Sequence, residues 1–226
     1  MNDGILHTLY LAGAFLLLFT TAELLYHKLH VNAELTRKYV HIGTGLLTML
    51  FPTLIGNTWL VLTLCACFLV ILLTSMAFNL LPSINAVARK TSGSILYPIV
   101  VSGCYLVYEK YGQFMLYYVP ILILALCDPV ANMVGRKWPV GEFKTFGKSK
   151  TLGGSVSFFV AAIITSLCLI LGLEVYSVRE VIIISVSVAL ATAIAEAFTH
   201  RGFDNLTIPV SALAVLLLLR DYYSVQ

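Results

Sequence analysis

Residues 126–159 read LCDPVANMVGRKWPVGEFKTFGKSKTLGGSVSFF and connect two apolar segments through a basic stretch. An acidic residue, Asp128, lies inside the first apolar segment and is followed directly by Pro129. Two glycines, Gly153 and Gly154, stand where the second apolar segment begins. A carboxylate at membrane depth beside a cationic, glycine-bearing stretch is what a metal-dependent site for phosphate groups requires. The basic residues between the two apolar segments are Arg136, Lys137, Lys144, Lys148 and Lys150.

The composition places this stretch in a membrane protein. Of the 226 residues, 59% are hydrophobic and 11% are charged, and the mean hydropathy is +0.92. A soluble domain is about 45–50% apolar and about 25% charged, so only an integral membrane protein fits. No lysine or arginine precedes Lys28, which favours a retained spanning helix over a cleaved signal peptide.

Hydrophobic segments of near-membrane length recur along the chain. Because a spanning helix needs about 20 apolar residues, they predict an all-α, polytopic bundle of about eight transmembrane helices in a single domain over 1–226. The number is seven if one short segment does not span. The long connection is the basic loop 136–150, between helices five and six. The predicted helices are 4–25, 39–56, 58–80, 93–109, 114–135, 151–173, 179–199 and 204–219.

The basic residues predict the orientation, because cytoplasmic loops carry the excess of lysine and arginine. With eight helices and an outside N-terminus, eleven basic residues fall on one side and three on the other. The larger set is therefore predicted to face the cytoplasm. Both termini are then predicted to lie on the outer side of the membrane, which is a cell membrane or an inner membrane. The outer set is Lys110, Arg179 and Arg220.

The unusual polar residues of the helices all fall near the predicted cytoplasmic ends. Ionisable residues at membrane depth are unfavourable and usually functional. Their concentration on one side predicts a single cytoplasm-facing site built from several helices. These residues are Glu23, His41, Asp128, Asn132 and Glu196.

Two basic motifs open the second and fourth helices. Arg37, His41 and Gly45 recur at four-residue spacing and share one helical stripe. Cations near a helix N-terminus oppose its dipole, so an anionic partner is expected there. A membrane anchor with a capped histidine explains the pattern equally well. Arg89 precedes the start of a helix that has Pro98 near its first turn. By itself, this pattern indicates a basic loop that sets the orientation of the neighbouring helices in the membrane.

Asp128, Asn132 and Arg136 also share one helical stripe. Pro129 removes a backbone hydrogen bond and disfavours helical geometry at the residue before it. The helix is therefore predicted either to break at Asp128 or to restart there, with Asp128 as the N-cap. Asp and Asn oxygens are hard ligands suited to Mg²⁺. The alternative is a structural ion pair of Asp128 with Arg136 or a lysine.

Residues 148–155, KSKTLGGS, open the sixth helix. Backbone N–H groups at a glycine-rich helix start form an anion site, and the lysines add positive charge. A P-loop is excluded, because Glu142 stands where its first glycine is required and no strand is predicted before it.

Acidic residues recur where the seventh helix ends and the eighth begins. Glu196 lies deep in apolar sequence and needs a cation, which either a metal ion or a basic side chain would supply. Asp204 and Asn205 follow at the next helix start, which either residue is suited to cap.

These motifs resemble the phytol kinase, dolichol kinase and CTP-dependent diacylglycerol kinase family of polyprenol kinases, a distant relative of the phosphatidate cytidylyltransferases. The motifs keep the order of that family, and the pair DPVANMVGR and KTLGGS is the most specific part. The matching stretches are RKYVHIG (37–43), RKTSGSILYP (89–98), DPVANMVGRK (128–137), KTLGGSVSFF (150–159) and Glu196 followed by DNLTIP (204–209).

The resemblance implies a transferase of lipid metabolism that moves the γ-phosphate of CTP to the hydroxyl of an isoprenoid alcohol or diacylglycerol, with Mg²⁺ as the divalent metal. Its partners are then the nucleotide triphosphate, the lipid alcohol and the bilayer, and no nucleic acid is expected. The cytidylyltransferase signature KDxxxxxPGHGGxxDRxD is absent, which favours a kinase over a CDP-lipid synthase. An anion transporter is a further alternative, which the one-sided clustering of polar residues disfavours.

This interpretation assigns a role to each motif residue. The catalytic candidates are Asp128, Lys150, Arg136 and His41, with Asp128 acting as metal ligand or general base. The metal candidates are Asp128, Asn132, Glu196, Asp204 and Asn205. The candidates for binding the nucleotide and its phosphates are Arg37, Lys38, Arg89, Lys137, Lys148, Thr151, Gly153, Gly154 and Ser155.

Overall fold

The computed structural model describes residues 3–78, 80–85, 93–145, 148–173, 176–199 and 202–223. The described chain is almost entirely helical and contains one two-stranded antiparallel sheet. It forms two compact units, residues 1–102 and residues 103–226. The helical class predicted from the sequence is confirmed, and the small sheet is an element that was not predicted.

The first unit is built from helices joined by short capped turns. The side chain of Asn32 accepts a hydrogen bond from the N–H of Glu34 at 2.8 Å, and that of Asn57 accepts from Leu60 at 3.1 Å. Such caps satisfy N–H groups that have no partner within the helix. The elements are α1 (Asp3–Lys28), α2 (Ala33–Thr48), a π-helical turn (Phe51–Ile55), α3 (Thr58–Ala77), α4 (Pro82–Asn85) and the start of α5 (Gly93–Tyr111).

Aromatic packing and one close helix contact hold this unit together. The ring of Phe15 lies 4.6 Å from that of Phe68 and 6.1 Å from that of Phe51, measured between centroids. A Cβ atom on Gly43 would lie 2.6 Å from a methyl carbon of Leu18. The glycine of the RKYVHIG motif therefore lets α2 pack closely on α1.

The second unit contains residues 126–159, which carry Asp128 and the basic stretch. Helices α6 and α7 and the π-helical turn between them form one continuous helix, Met115–Lys137. The elements that follow the end of α5 are α6 (Met115–Leu122), the π-helical turn (Ile123–Cys127), α7 (Asp128–Lys137), β1 (Glu142–Thr145), β2 (Lys148–Thr151), α8 (Leu152–Leu173), α9 (Val178–Phe198) and α10 (Asp204–Tyr223).

Helices α8 and α9 form an antiparallel pair with small residues in their contact. Ala162 and Ser166 on α8 and Ser185 and Ala189 on α9 are fully buried. Small side chains allow helices in a membrane to approach closely. Since a short connection joins the two helices, the start of α8 and the end of α9 come to the same end of the unit.

Each of the eight predicted segments contains a helix in the structure. Five helices of the described chain are long and apolar enough to cross a membrane, by length and composition: Asp3–Lys28, Thr58–Ala77, Met115–Lys137, Leu152–Leu173 and Val178–Phe198. The protein is thus a multi-pass membrane protein. Eight crossings stay a prediction.

The predicted loop 136–150 is shorter than expected, and its described residues include two β-strands. Helix α7 extends through Lys137, so Arg136 and Lys137 form its last turn. The rest contains the hairpin of β1 and β2, in which Phe143 pairs with Lys150. Side chains along β1 alternate between exposed and half-buried, and Gly141 enters the hairpin with a φ of +66°. This alternation over four residues is the pattern that identifies the strand.

Candidate functional site

Asp128 lies within a continuous helix, so the predicted break and the predicted non-helical N-cap are both wrong. Its backbone angles are φ −63° and ψ −48°, which are those of a right-handed helix. Asp128, Asn132 and Arg136 therefore share one face of α7. Asp128 and Asn132 are half-buried, whereas Arg136 is exposed.

The π-helical turn Ile123–Cys127 explains how the helix accommodates Pro129. In a regular α-helix, proline has no backbone N–H to donate to the carbonyl four residues earlier, and its ring collides with that same carbonyl. In a π-turn the backbone hydrogen bonds join residues five apart and not four, and this change in spacing just before Pro129 lets the helix continue. Turns of this kind are frequent at functional sites.

Helices α7 and α8 cross closely at two glycines. A Cβ atom on Gly154 would lie 3.0 Å from the carbonyl oxygen of Ala131 and 3.4 Å from the Cα atom of Gly135. Glycine at both positions therefore allows the two backbones to approach. Asn132 and Ser155, the next residues along α7 and α8, are held beside this crossing.

The first N–H groups of α8 are already engaged within the protein. Those of Leu152 and Gly153 donate to backbone carbonyls just before β1, at 3.0 Å and 3.2 Å. That of Gly154 donates to the hydroxyl of Thr151 at 3.1 Å, so Thr151 caps the helix. In this structure these N–H groups serve helix capping, and the predicted phosphate site at Gly153 and Gly154 stays a prediction.

Lys150 on β2 forms an ion pair with Glu196 in the last turn of α9. Its Nζ donates to Oε1 of Glu196 and, at 2.5 Å, to the backbone carbonyl of the same residue. The Lys150 and Glu196 side chains are 14% and 8% exposed. The ammonium group also complements the negative end of the α9 dipole. Of the two cations considered for Glu196, the structure supplies the basic side chain.

Three buried oxygen atoms of this region have no hydrogen-bond partner within the described chain: Oε2 of Glu196, Oδ1 of Asn132 and Oγ of Ser155. Buried polar groups are normally satisfied, so such atoms indicate a partner that the protein does not itself supply. Carboxylate, amide and hydroxyl oxygens are the donors that Mg²⁺ prefers. The described residues contain no cluster of three His, Cys, Asp or Glu, so a metal here would use this mixed oxygen set.

The start of α10 lies against the end of α9. The hydroxyls of Thr199 and Thr207 are 2.7 Å apart. Glu196 and Asp204 each precede one of these threonines by three residues, so each lies within about one helical turn of the contact. Asp204 accepts a hydrogen bond from the N–H of Asn205 at 3.1 Å, and the Asn205 side chain is buried.

Two further lysines that were predicted to bind the nucleotide, Lys137 and Lys148, lie next to or in the hairpin. Lys137 places its Nζ 4.6 Å from the ring centroid of Trp138, and both residues are exposed. Lys148 pairs with Thr145 in the hairpin, and its side chain lies outside the described part. Their predicted contacts with a nucleotide stay predictions.

The RKYVHIG residues belong to the first unit. Arg37 and Lys38 are half-buried on α2, and the ring of His41 meets that of Tyr97 edge-on, with centroids 5.2 Å apart. Arg89 lies outside the described residues. The predicted roles of these four residues in binding or catalysis stay predictions.

Glu23 has a partner that the sequence analysis missed. Its Oε1 accepts hydrogen bonds from the N–H and hydroxyl of Ser83, at 3.1 Å and 2.5 Å, and its Oε2 lies 3.2 Å from His27. These contacts tie α1 to α4 and give Glu23 a structural role. Ser83 is 60 residues away, so no local spacing could have revealed it.

Comparisons with known proteins identify one informative relative. A phytol kinase from Synechocystis sp. is 28% identical to this chain over 195 residues, which cover 86% of this chain and 83% of the relative. No family profile and no solved structure matches the chain. The resemblance to phytol kinases that the motifs predicted is confirmed by this relative.

Proposed function

We propose that this chain is a membrane-embedded kinase that transfers the γ-phosphate of CTP to the hydroxyl of an isoprenoid alcohol. The observation that carries the proposal is the buried ion pair of Lys150 and Glu196, in which Oε2 of Glu196 has no hydrogen-bond partner within the described chain. The similarity to a phytol kinase over most of the chain supports the choice of a lipid alcohol as the phosphate acceptor.

Lys150 is suited to hold a phosphate group. An ammonium group has three N–H donors, and the two contacts with Glu196 leave one for a phosphate oxygen. Because Glu196 and the end of α9 fix the ammonium in place, it needs no reorganisation when charge spreads over the transferring phosphoryl group. Positioning and electrostatic stabilisation supply most of the catalysis in phosphoryl transfer, and a fixed positive charge contributes to both.

The chemistry of the candidate oxygen donors fits a hard divalent cation. Oε2 of Glu196 and Oδ1 of Asn132 would hold Mg²⁺, with Asp128, Asp204 and Asn205 as further candidates. When bound, the ion would neutralise negative charge on the triphosphate and orient it. Activity is expected to disappear when a chelator removes divalent cations and to return when Mg²⁺ is added.

The acceptor must lose a proton as it gains the phosphoryl group. The alcohol oxygen forms a bond to the γ-phosphorus, the bond from that phosphorus to the β-phosphate bridging oxygen breaks, and CDP leaves. Asp128 in the second unit and His41 in the first are the candidates that accept the hydroxyl proton. The isoprenoid tail remains in the hydrocarbon layer throughout.

The test is a direct assay with purified protein in nanodiscs. CTP labelled on the γ-phosphate is offered with phytol, a longer polyprenol or diacylglycerol, and ATP replaces CTP in a parallel series. We expect label in an isoprenyl monophosphate with CTP as donor. CTP labelled on the α-phosphate is the matched control and should leave the lipid unlabelled.

Two results would overturn the proposal. Transfer of the α-label would identify a CDP-lipid synthase, and the absence of a labelled lipid together with anion uptake into vesicles would identify a transporter. Labelling of diacylglycerol alone would keep the kinase but change its acceptor, and labelling from ATP alone would change its donor.

A further inference from the structure

The base of the β1–β2 hairpin carries large apolar side chains that the described chain leaves uncovered. Trp138, Val140 and Leu152 are 55%, 66% and 57% exposed. The N–H of Leu152 donates to the carbonyl of Gly141 at 3.0 Å, which brings the segment before β1 against the start of α8. The three side chains therefore belong to one short stretch of surface around the base of the hairpin.

This surface lies where the chain leaves and re-enters the membrane. The helix Met115–Lys137 ends just before Trp138, and Leu152–Leu173 begins at Leu152; both are candidate spans. Both ends of the hairpin are thus fixed at one membrane face. Each strand has four residues, which corresponds to about 13 Å, so the hairpin remains close to the polar headgroup layer.

Positive charge surrounds the apolar residues. Residues 136–151 contain five basic residues and one acidic residue, Glu142. Lys137 lies 4.6 Å over the Trp138 ring, and Lys144 is exposed on β1. Tryptophan beside lysine is the combination that favours the boundary between headgroups and acyl chains, where the ring is half-desolvated and the ammonium reaches anionic groups.

We propose that Trp138, Val140, Leu152, Lys137 and Lys144 form a docking face for the anionic phospholipid headgroups of the leaflet at which the hairpin emerges. Charge complementarity selects this occupant, because basic residues near an anionic leaflet are attracted to it within a Debye length. The apolar side chains add burial at the acyl boundary. This face includes β1, which pairs with the strand that carries Lys150. Docking to headgroups does not depend on the proposed reaction.

The fluorescence of Trp138 tests this inference without an activity assay. The chain has two tryptophans, so Trp59→Phe leaves Trp138 as the single reporter. The full-length variant is placed in nanodiscs of phosphatidylcholine with or without phosphatidylglycerol. We expect a blue shift and about twofold or stronger quenching by headgroup-proximal bromolipid when phosphatidylglycerol is present. About 1 M salt should remove the difference, because it shortens the Debye length to about 3 Å.

Matched lysine variants show whether the effect belongs to this face. In the single-tryptophan protein, Lys144→Gln should weaken the response to phosphatidylglycerol, whereas Lys110→Gln, at an exposed lysine in the last turn of α5, should leave it unchanged. A water-like emission that ignores lipid charge would overturn the inference. A response to CTP in neutral nanodiscs, with none to phosphatidylglycerol, would also overturn it and make this face a nucleotide contact.

Discussion

Asp128 is the acidic residue on which the proposed chemistry depends most. It starts α7 and shares a face with Asn132. In Asp128→Asn the side chain keeps its shape and loses its negative charge, so both a metal ligand and a proton acceptor are impaired. We expect the rate of phosphoryl transfer to fall by about 100-fold or more, measured as turnover of purified protein with saturating substrates.

The matched control is Glu109→Gln, an exposed carboxylate near the end of α5. It removes the same charge away from the candidate site and should leave turnover close to that of the parent. Near-normal turnover in Asp128→Asn would remove Asp128 from the mechanism. A KM for CTP that rises alone would assign it to binding.

The Lys150–Glu196 pair is expected to contribute strongly to stability because both side chains are largely buried. Breaking such a pair on one side leaves an uncompensated buried charge and typically lowers the free energy of unfolding by about 3–5 kcal/mol. Lys150→Met should therefore destabilise the protein in mixed-micelle denaturation. The double variant Lys150→Met with Glu196→Gln should recover a large part of the loss.

That double variant separates folding from catalysis. It restores charge balance but lacks the ammonium group proposed to hold phosphate, so it should be stable and inactive. If it remained as active as the parent, Lys150 would have a structural role only. If the losses in the free energy of unfolding in Lys150→Met and Glu196→Gln simply added in the double variant, the two side chains would not be coupled, and the ion pair would not hold the hairpin on α9.

Among the elements, the crossing of α7 and α8 makes the sharpest prediction. In Gly154→Ala the new Cβ would meet Oγ1 of Thr151 at 2.9 Å and the Ala131 carbonyl at 3.0 Å, so the helices must separate. We expect a loss of about 1–3 kcal/mol in the free energy of unfolding and reduced activity. Gly172→Ala on the same helix meets nothing within 4 Å.

Gly172→Ala should therefore be neutral or slightly stabilising, since alanine exceeds glycine in helix propensity by about 1 kcal/mol. Equal thermal stability of the two variants would show that the crossing tolerates a methyl group. Both variants replace glycine by alanine in α8, so the gain in helix propensity is similar and the difference between them reports the close packing at Gly154.

The helices could be predicted because their signal is contained in each segment, as runs of apolar residues of membrane length. The continuity through Pro129 could not be predicted in this way. The rule for a residue before proline describes a regular α-helix, and the π-turn that relieves the clash lies in the preceding apolar residues Ile123–Cys127, which show no distinctive pattern. The hairpin was missed because its strands have only four residues each.

At the scale of the whole molecule, sequence spacing could indicate which residues are candidates, but it could not indicate which residues they contact. Its apolar surroundings in the sequence predicted that Glu196 needs a cation. That this cation is Lys150 depends on the contact between β2 and α9, because the two residues are 46 positions apart in the sequence. The glycines were assigned to phosphate binding because the motif resembles an anion site, whereas packing against α7 explains them sterically. Long-range packing is the information that one sequence lacks.

Two positions distinguish the five-helix arrangement from the eight-helix arrangement. Helix α2 has 16 residues, about 24 Å, which is shorter than the hydrocarbon layer of about 30 Å, although the π-turn Phe51–Ile55 follows shortly after it. If only the five qualifying helices cross, the hairpin and the C-terminus lie on the same side. If all eight cross, they lie on opposite sides.

Cysteines introduced one at a time into a cysteine-free variant distinguish these arrangements. Ser149→Cys reports the hairpin and Ser224→Cys the C-terminus, each labelled in intact cells by a maleimide that cannot cross the membrane. The eight-helix arrangement predicts labelling at 224 and protection at 149, because the basic hairpin is held in the cytoplasm. Protection at both positions would show an even number of crossings after the hairpin and a C-terminus inside, and labelling at 149 would reverse the orientation inferred from the basic residues.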